Sequence, residues 1–190
     1  MSSVNDLINK SLDKSCMLPD ELPAIDLYID QVTTIISQRY QNNSFPANDK
    51  PLTKMMVNNY SKAGLIKPIK GKKYTREQII QMLVICSMKG VLSLGEIKDV
   101  LDSLYSDQSF DEKAFSACYE QAVSAQQKSR EEMAKLLTET LDCDSREDQF
   151  ASLMAVCAMA DSLSELAKRM AAEYFPPMEP ERKSKKKDKD

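Results

Sequence analysis

The chain has 190 residues, a formal net charge of −3, 42% hydrophobic residues and no histidine. This length can bury a hydrophobic core and corresponds to one domain or two small ones. The absence of histidine excludes the commonest general base and both the Ser–His and the Cys–His nucleophile pairs. We therefore expect a protein that is not an enzyme.

The cysteine pattern argues against a metal site. The five residues are widely spaced and contain no CxxC pair: Cys16, Cys86, Cys118, Cys143 and Cys157. Without histidine they complete no zinc site, so no metal and no cofactor is predicted, and buried, reduced thiols are the expected state. The N-terminal residues contain no apolar export segment, and no uninterrupted run of about 20 apolar residues occurs. We therefore expect a cytoplasmic protein without a membrane partner.

The first predicted helix covers residues 20–40, after an N-terminal segment (1–19) to which no helix is assigned. Its apolar residues recur at steps of three and four: Leu22, Ile25, Ile29, Val32, Ile36 and Tyr40. This spacing is typical of an amphipathic helix, with Asp20 as its cap and Pro23 in its first turn. Residues 41–51 are rich in Asn, Pro and Asp and predict a loop.

A second, short helix is predicted over residues 53–63, with Thr53 as N-cap and Gly64 as the residue that ends it. In residues 66–75, Pro68 and Gly71 indicate a tight turn or hairpin, which is the single place where β structure is expected.

Two further helices follow this turn. One is predicted from Arg76 to Lys89, where Gly90 ends it, and the next from Ser93 to Leu104, where Ser93 and Glu96 form a capping box. Residues 20–106 are thereby predicted to be one helical domain.

The C-terminal part predicts two long helices, 111–141 and 145–175, with Asp144 or Ser145 capping the second. A short turn between two amphipathic helices favours an antiparallel hairpin, so residues 107–177 form a two-helix region. The residues from 178 to 190 form a charged tail that is predicted to be disordered. The fold class is therefore mainly all-α.

Positive charge is concentrated in one part of the chain. Residues 50–76 contain eight Lys or Arg and no Asp or Glu, a local charge of +8, which leaves −11 on the rest of a chain whose total is −3. A basic surface patch attracts polyanions even when the whole molecule is acidic.

The residues between Met56 and Leu101 follow an order found in one class of DNA-binding domains. Before the turn they are Tyr60, Gly64, Leu65, Ile66 and Pro68, and after it Tyr74, Ile79 to Ile85, Gly90, Ser93, Leu94, Glu96 and Ile97. This order resembles the MerR-type (mercury-resistance regulator) winged helix-turn-helix module, with residues 66–75 as a shortened wing. The whole chain also resembles a bacterial family known only as a domain of unknown function. The MerR resemblance implies double-stranded DNA as a partner, a homodimer, and a small-molecule or protein effector.

The candidate DNA-binding residues lie on the short helix and the turn: Thr53, Lys54, Asn58, Asn59, Lys62, Lys67, Lys70, Lys72, Lys73, Tyr74 and Arg76. On the helix, Met56, Tyr60 and Ala63 share one face by their spacing and are predicted to pack, which leaves the polar residues on the other. Lysines contact phosphates without reading sequence, whereas Asn58 and Asn59, which replace an arginine and a tyrosine of the MerR pattern, can contact phosphate or adenine edges. Tyr60 is predicted to be a core residue, and Tyr74 fits either a core or a contact role.

Two functions remain open at this point. In the first, the protein is a DNA-binding transcriptional regulator whose C-terminal helices dimerise and bind an effector. In the second, it has lost DNA binding and is a helical adaptor, in which Met154, Met159 and Met170 line a pliable groove for a partner.

Overall fold

The computed structural model describes residues 3–12, 16–42, 52–69, 71–107 and 109–178. Within these residues the chain forms a mainly helical fold, which confirms the predicted fold class. The elements in chain order are α1 (Val4–Leu12), a 3₁₀ turn (Pro19–Glu21), β1 (Leu27–Tyr28), α2 (Ile29–Asn42), α3 (Lys54–Lys62), β2 (Lys73–Tyr74), α4 (Arg76–Met88), α5 (Leu94–Ser106), α6 (Glu112–Thr140) and α7 (Arg146–Tyr174).

The hydrophobic core is built around α4. Ile79, Ile80, Met82 and Ile85 are almost completely buried, and they point to different sides of the helix axis. A helix that is apolar on all sides must be surrounded by protein. Accordingly, α4 packs against α5 and α6.

The N-terminal part differs from the prediction. Residues 22–28 are not helical: a 3₁₀ turn covers Pro19–Glu21, and α2 begins only at Ile29. Leu22 of the predicted stripe is buried, although in irregular backbone, whereas Ile25 of the same stripe is 70% exposed. The buried residue of the strand is Leu27, which the stripe did not include. Residues 1–19 also contain a helix that was not predicted, α1, which buries Ile8 and packs on α6.

Two of the predicted segments fall mostly outside the described residues. A loop was predicted for residues 41–51, but residues 41 and 42 belong to α2, and residues 43–51 lie outside the described residues. The charged tail predicted for residues 178–190 lies outside them beyond Met178.

The β structure is a pair of two-residue strands. β1 and β2 are antiparallel, with Leu27 opposite Tyr74 and Tyr28 opposite Lys73. Strand was expected in residues 66–75 alone, so the prediction was wrong about the partner: the turn does not fold back on itself but pairs with a distant segment. Such pairing leaves no local signal in the sequence.

Helices α3 and α4 begin and end within a residue of their prediction, whereas α5 begins after Ser93 as predicted but continues to Ser106, two residues beyond the predicted end at Leu104. The hydroxyls of Thr53, Thr75 and Ser93 cap α3, α4 and α5, and Ser93 forms the expected capping box with Glu96. Gly64 adopts φ 74°, which favours glycine and explains why α3 ends there.

The two long helices are confirmed as α6, capped by Asp111, and α7, capped by Ser145. The first half of α6 packs on the core through Phe115, Tyr119 and Val123. In α7, Ala171 is buried and Phe175, just beyond the helix, packs on the core. Because Phe115 near the start of α6 and Ala171 near the end of α7 belong to the same core, and a short turn joins the other ends of the two helices, the helices run in opposite directions. Helix α7 itself packs against α5.

The hydroxyl of Tyr119 donates a hydrogen bond to the backbone carbonyl of Met17, with an O···O distance of 2.8 Å. Both residues are buried. This bond joins α6 to the segment that precedes the 3₁₀ turn.

The thiols differ from their prediction. None of the five cysteines, all within the described residues, forms a disulfide; Cys118 and Cys157 are exposed and the other three are half-buried. The prediction of buried thiols was therefore wrong, because the outer faces of the long helices do not meet the core. Within the described residues no cluster of acidic or thiol groups could hold a metal ion.

Candidate nucleic-acid interface

The exposed face of α3 carries most of the predicted contact residues. Four polar residues of this helix are exposed, Lys54, Asn58, Asn59 and Lys62, whereas Val57 and Tyr60 are buried beneath them. The packed face was predicted to consist of Met56, Tyr60 and Ala63. Met56 and Tyr60 do pack on the core, but Ala63 is exposed, and the third packed residue is Val57. Met55, which is 71% exposed, also lies on the outer surface of the helix and was missed by sequence reasoning.

The start of α2 connects α3 with the basic turn. Lys54 forms an ion pair with Asp30. Lys73 lies over the ring of Tyr28, with its Nζ 5.2 Å from the ring centroid. Because Tyr28 and Asp30 are two residues apart, the beginning of α3 and strand β2 lie on the same side of the protein.

Two of the predicted contact residues are engaged within the protein. Nζ of Lys67 lies 2.6 Å from Oε1 of Glu77 and 4.2 Å from the centroid of the Tyr105 ring. Arg76 forms an ion pair with Asp20 at 2.9 Å. The charges of Lys67 and Arg76 are thus balanced by neighbouring carboxylates, which weakens their case as phosphate contacts.

Three lysines of the basic segment are differently placed. Within the described ranges Lys62, Lys72 and Lys73 form no ion pair. All three are exposed. Their positive charge is therefore available to an anionic partner.

Two buried glutamines hold the backbone that leads into the turn. Nε2 of Gln78 donates to the carbonyls of Lys67 and Pro68 at 3.0 and 3.1 Å. The backbone N–H of Lys67 donates to Oε1 of Gln81 at 3.0 Å, and Nε2 of Gln81 donates to the Tyr105 hydroxyl at 2.7 Å. Buried amides with satisfied hydrogen bonds fix a backbone in one position. No role was predicted from the sequence for either glutamine.

The two tyrosines that flank the basic segment are core residues. Tyr60 is 4% exposed, as predicted, and Tyr74 is 5% exposed, which resolves its two alternatives in favour of the core. Burial raises the pKa of both phenols above the ordinary value. Neither ring is available to a ligand.

The remaining predicted residues are placed as follows. Thr53 is exposed, and its hydroxyl accepts a hydrogen bond from the N–H of Met56, so its role is to cap α3. Lys70 lies outside the described residues. The structure therefore places Lys54 of α3 and Lys73 of the turn against the same segment, the start of α2. Asn58, Asn59 and Lys62 are exposed on α3, and Lys72 is exposed on the turn.

A different kind of surface covers α7. Its exposed apolar residues include Val156, Leu163, Leu166, Met170 and Tyr174, whose spacing places them on one face of the helix. By length and composition, α7 is the one helix in the described part of the chain that could cross a membrane, which is weak support for a span. The charged residues Asp161 and Glu165 interrupt its apolar sequence.

These features define a mainly helical protein in which a short polar helix stands beside a positively charged turn. A family described as Domain of unknown function (DUF1836) matches residues 17–122, more than half of the chain. The chain therefore belongs to this family. The matched segment contains the strand pair, helices α2 to α5 and the whole candidate interface, but not α7. No curated protein and no solved structure matches the chain.

Proposed function

We propose that this protein is a DNA-binding transcriptional regulator with a MerR-like winged helix-turn-helix module. The observation that carries this proposal is that the start of α2 contacts both Lys54 of α3, through Asp30, and Lys73 of the basic turn, through Tyr28. This surface is basic, whereas the chain outside residues 50–76 carries a charge of −11. Such asymmetry is the electrostatic footprint of a protein that binds a polyanion.

In this proposal α3 enters the major groove. The helix has nine residues, so it is about 14 Å long and suits a groove about 12 Å wide. Asn58 and Asn59 offer amides that can pair with the edge of adenine, which is a specific contact. The lysines of the turn contact phosphates beside the groove, and their contribution depends on salt but not on sequence.

The apolar face of α7 supports the homodimer that such a regulator needs. A regulator with one reading helix per subunit pairs two subunits to reach half-sites about 34 to 36 Å apart. The exposed side chains from Val156 to Tyr174 form a continuous apolar strip, which is costly to leave in water. A second copy of the same strip would cover it.

The test replaces the three turn lysines, Lys70, Lys72 and Lys73, by Ala. We expect weaker binding to every duplex sequence, with the slope of log K against log salt falling by roughly 0.9 for each phosphate that a lysine no longer neutralises. Fluorescence anisotropy with labelled duplexes at several salt concentrations measures both quantities. The matched control replaces Lys113, Lys128 and Lys135, three exposed lysines of α6, and should leave the slope unchanged.

Replacement of Asn58 or Asn59 by Ala separates base reading from phosphate contact. If either amide reads adenine, its removal costs about 1 to 3 kcal/mol at a preferred site and much less on random DNA. Absence of salt-dependent DNA binding by the wild-type protein would refute the regulator proposal, as would a triple lysine variant that binds as tightly as the wild type.

The second candidate function is a helical interaction adaptor. It is favoured by the exposed apolar residues of α7. Of the three methionines predicted to line a partner groove, Met170 is exposed on the apolar strip, Met159 is half-buried, and Met154 is exposed on the opposite side of the helix. This candidate predicts that the protein passes through heparin without retention at low salt while still binding a helical partner.

A further inference from the structure

A cavity of about 700 Å³ lies between the end of α4 and the first half of α6. Cys16 and Met17 form one edge, and Phe175 beyond α7 closes another. Small-molecule sites have volumes of about 300 to 1,000 Å³ and lie between elements of this kind. The cavity is separate from the surface of α3 and the basic turn, because none of the candidate DNA-binding residues lines it.

Most of the cavity wall is apolar. The apolar side chains include Leu83, Val84, Met88, Phe110, Phe115 and Val123. A wall of aliphatic and aromatic groups favours the apolar body of a ligand, since its burial removes hydrocarbon surface from water.

The charged groups in the lining are all cationic. Arg39, Lys89 and Arg130 line the cavity, and no Asp or Glu among the described residues does. Nη2 of Arg130 lies 3.4 Å from Oε1 of Gln126 and 3.7 Å from the Cys16 thiol, and within the described residues Arg130 forms no ion pair. Arg39 pairs with Glu21 at 2.9 Å, while its buried Nε has no hydrogen-bond partner in the part of the chain that the structure describes. A guanidinium beside apolar walls is suited to a carboxylate, which it can bind through two parallel hydrogen bonds.

We propose that this cavity binds a small amphipathic carboxylate, with its apolar body against α4 and α6 and its carboxylate at Arg130. This inference deepens the proposed function, because it assigns a site and a chemical class to the effector. The three thiols in the lining, Cys16, Cys86 and Cys118, do not change this class, since no described group of ligands could hold a metal. The chain's own tail is rich in lysine, so its charge does not complement the cavity.

The cavity is joined to the proposed DNA surface through two helices. α4 begins directly after Thr75, which follows β2, and reaches the cavity with Leu83 and Met88. α2 begins beside Lys54 of α3 and reaches the cavity with Arg39. A ligand that moves either helix would therefore shift α3 or the basic turn.

Thiol labelling of the full chain provides the first test, with sodium decanoate as the probe. Cys118 lines the cavity and Cys157 lies on α7 outside it, and both are exposed. We expect decanoate to slow the reaction of Cys118 with iodoacetamide by about tenfold when the site is nearly saturated, and to leave Cys157 unchanged, as read by mass spectrometry. Equal slowing at both thiols would show adsorption to exposed apolar surface and overturn the proposal, as would no slowing at Cys118.

Variants give the second test, with affinity measured by calorimetry without DNA. Arg130→Gln should weaken decanoate binding about tenfold by removing a charged partner, and Ala122→Leu should weaken it by filling the cavity. Lys128→Gln is the matched control, because it removes an exposed charge from the same helix outside the lining. An Arg130→Gln variant that binds like the wild type would refute the proposed site.

The outcomes distinguish this proposal from the proposed function. Binding of decanoate by a protein that does not bind DNA would support the cavity site and remove the regulator. DNA binding without protection of Cys118 by decanoate would support the regulator and refute the cavity site.

Discussion

The carboxylate of Asp30 stands beside Lys54 on the surface that we propose meets DNA. A negative charge there repels phosphate and partly neutralises the lysine. We predict that Asp30→Asn strengthens DNA binding and raises the slope of log K against log salt by up to about 0.9, because it frees one cation for phosphate. Anisotropy titrations at two or more salt concentrations measure both changes.

The control for this substitution is Glu139→Gln, which removes one exposed carboxylate near the far end of α6. Both variants change the net charge equally, so a general charge effect would strengthen binding in both. If Asp30→Asn binds DNA no better than the control, Asp30 does not face the nucleic acid.

Buried tyrosines give the stability of the protein a dependence on alkaline pH. Burial raises the pKa of Tyr60, Tyr74, Tyr105 and Tyr119 above the ordinary value for tyrosine. Since the folded pKa is the higher one, the stabilising effect is fully present below the unfolded pKa of about 10 and is lost as pH rises through the folded pKa. We predict that the free energy of unfolding, measured in urea, falls between about pH 9 and pH 11.

Single substitutions identify the tyrosines as the cause. Tyr119→Phe should show a smaller fall over the same pH range, although it also loses the hydrogen bond to Met17. Tyr174 is exposed, so Tyr174→Phe should behave like the wild type. An equal fall in all three proteins would assign the pH dependence to lysines instead.

At the scale of residues, sequence reasoning succeeded where a side chain's role follows from its own helix. The stripe of α3 placed Tyr60 in the core and the lysines and asparagines outside. It failed for Lys67 and Arg76, because their partners, Glu77 and Asp20, are brought to them by the tertiary fold. The roles of Gln78 and Gln81 were likewise beyond a pattern of apolar spacing.

At the scale of elements, the helices from α3 onward could be predicted because their signals are local. Capping residues such as Thr53 and Ser93 and the helix-ending Gly64 act within a few residues of themselves. Residues 20–28 could not be predicted, since the backbone of Leu27 and Tyr28 pairs with Tyr74 and Lys73, far along the chain. The spacing of apolar residues predicted a helix here, but residues 27 and 28 instead form a strand whose partner cannot be inferred from the local sequence.

The turn before β2 depends on one glycine, for which we predict a measurable stability cost. Gly71 has φ 81°, where other residues are strained. Gly71→Ala should lower the free energy of unfolding by about 1 kcal/mol or more, as measured by urea denaturation. Gly90 has no positive φ and open space around its Cβ position, so Gly90→Ala is the matched control. Equal stability of the two variants would contradict a strained turn.

At the scale of the whole molecule, the surface is divided between a basic face and an apolar helix. We predict that replacing both Leu163 and Leu166 by Glu dissociates a homodimer into monomers of 21.4 kDa. Both side chains are more than half exposed, and two buried charges facing their copies would repel each other. Sedimentation velocity at micromolar concentration measures the change.

The control for the dimer is Ala172→Glu, since Ala172 is exposed but lies off the apolar strip. This variant should sediment like the wild type. A wild-type protein that is monomeric at these concentrations would contradict the dimer and leave the strip of α7 to another partner.

The bond between Tyr119 and Met17 has a consequence for how the chain is organised. These residues stand near the two ends of the segment that matches the family, 17–122, so that segment begins and finishes at one point in space. Residues that precede or follow this segment therefore extend from the same region of its surface. In this chain they are α1 and the second part of α6, and α1 packs on α6. A unit with adjoining ends can acquire extensions on either side without disturbing its interior, as circular permutation and domain insertion exploit.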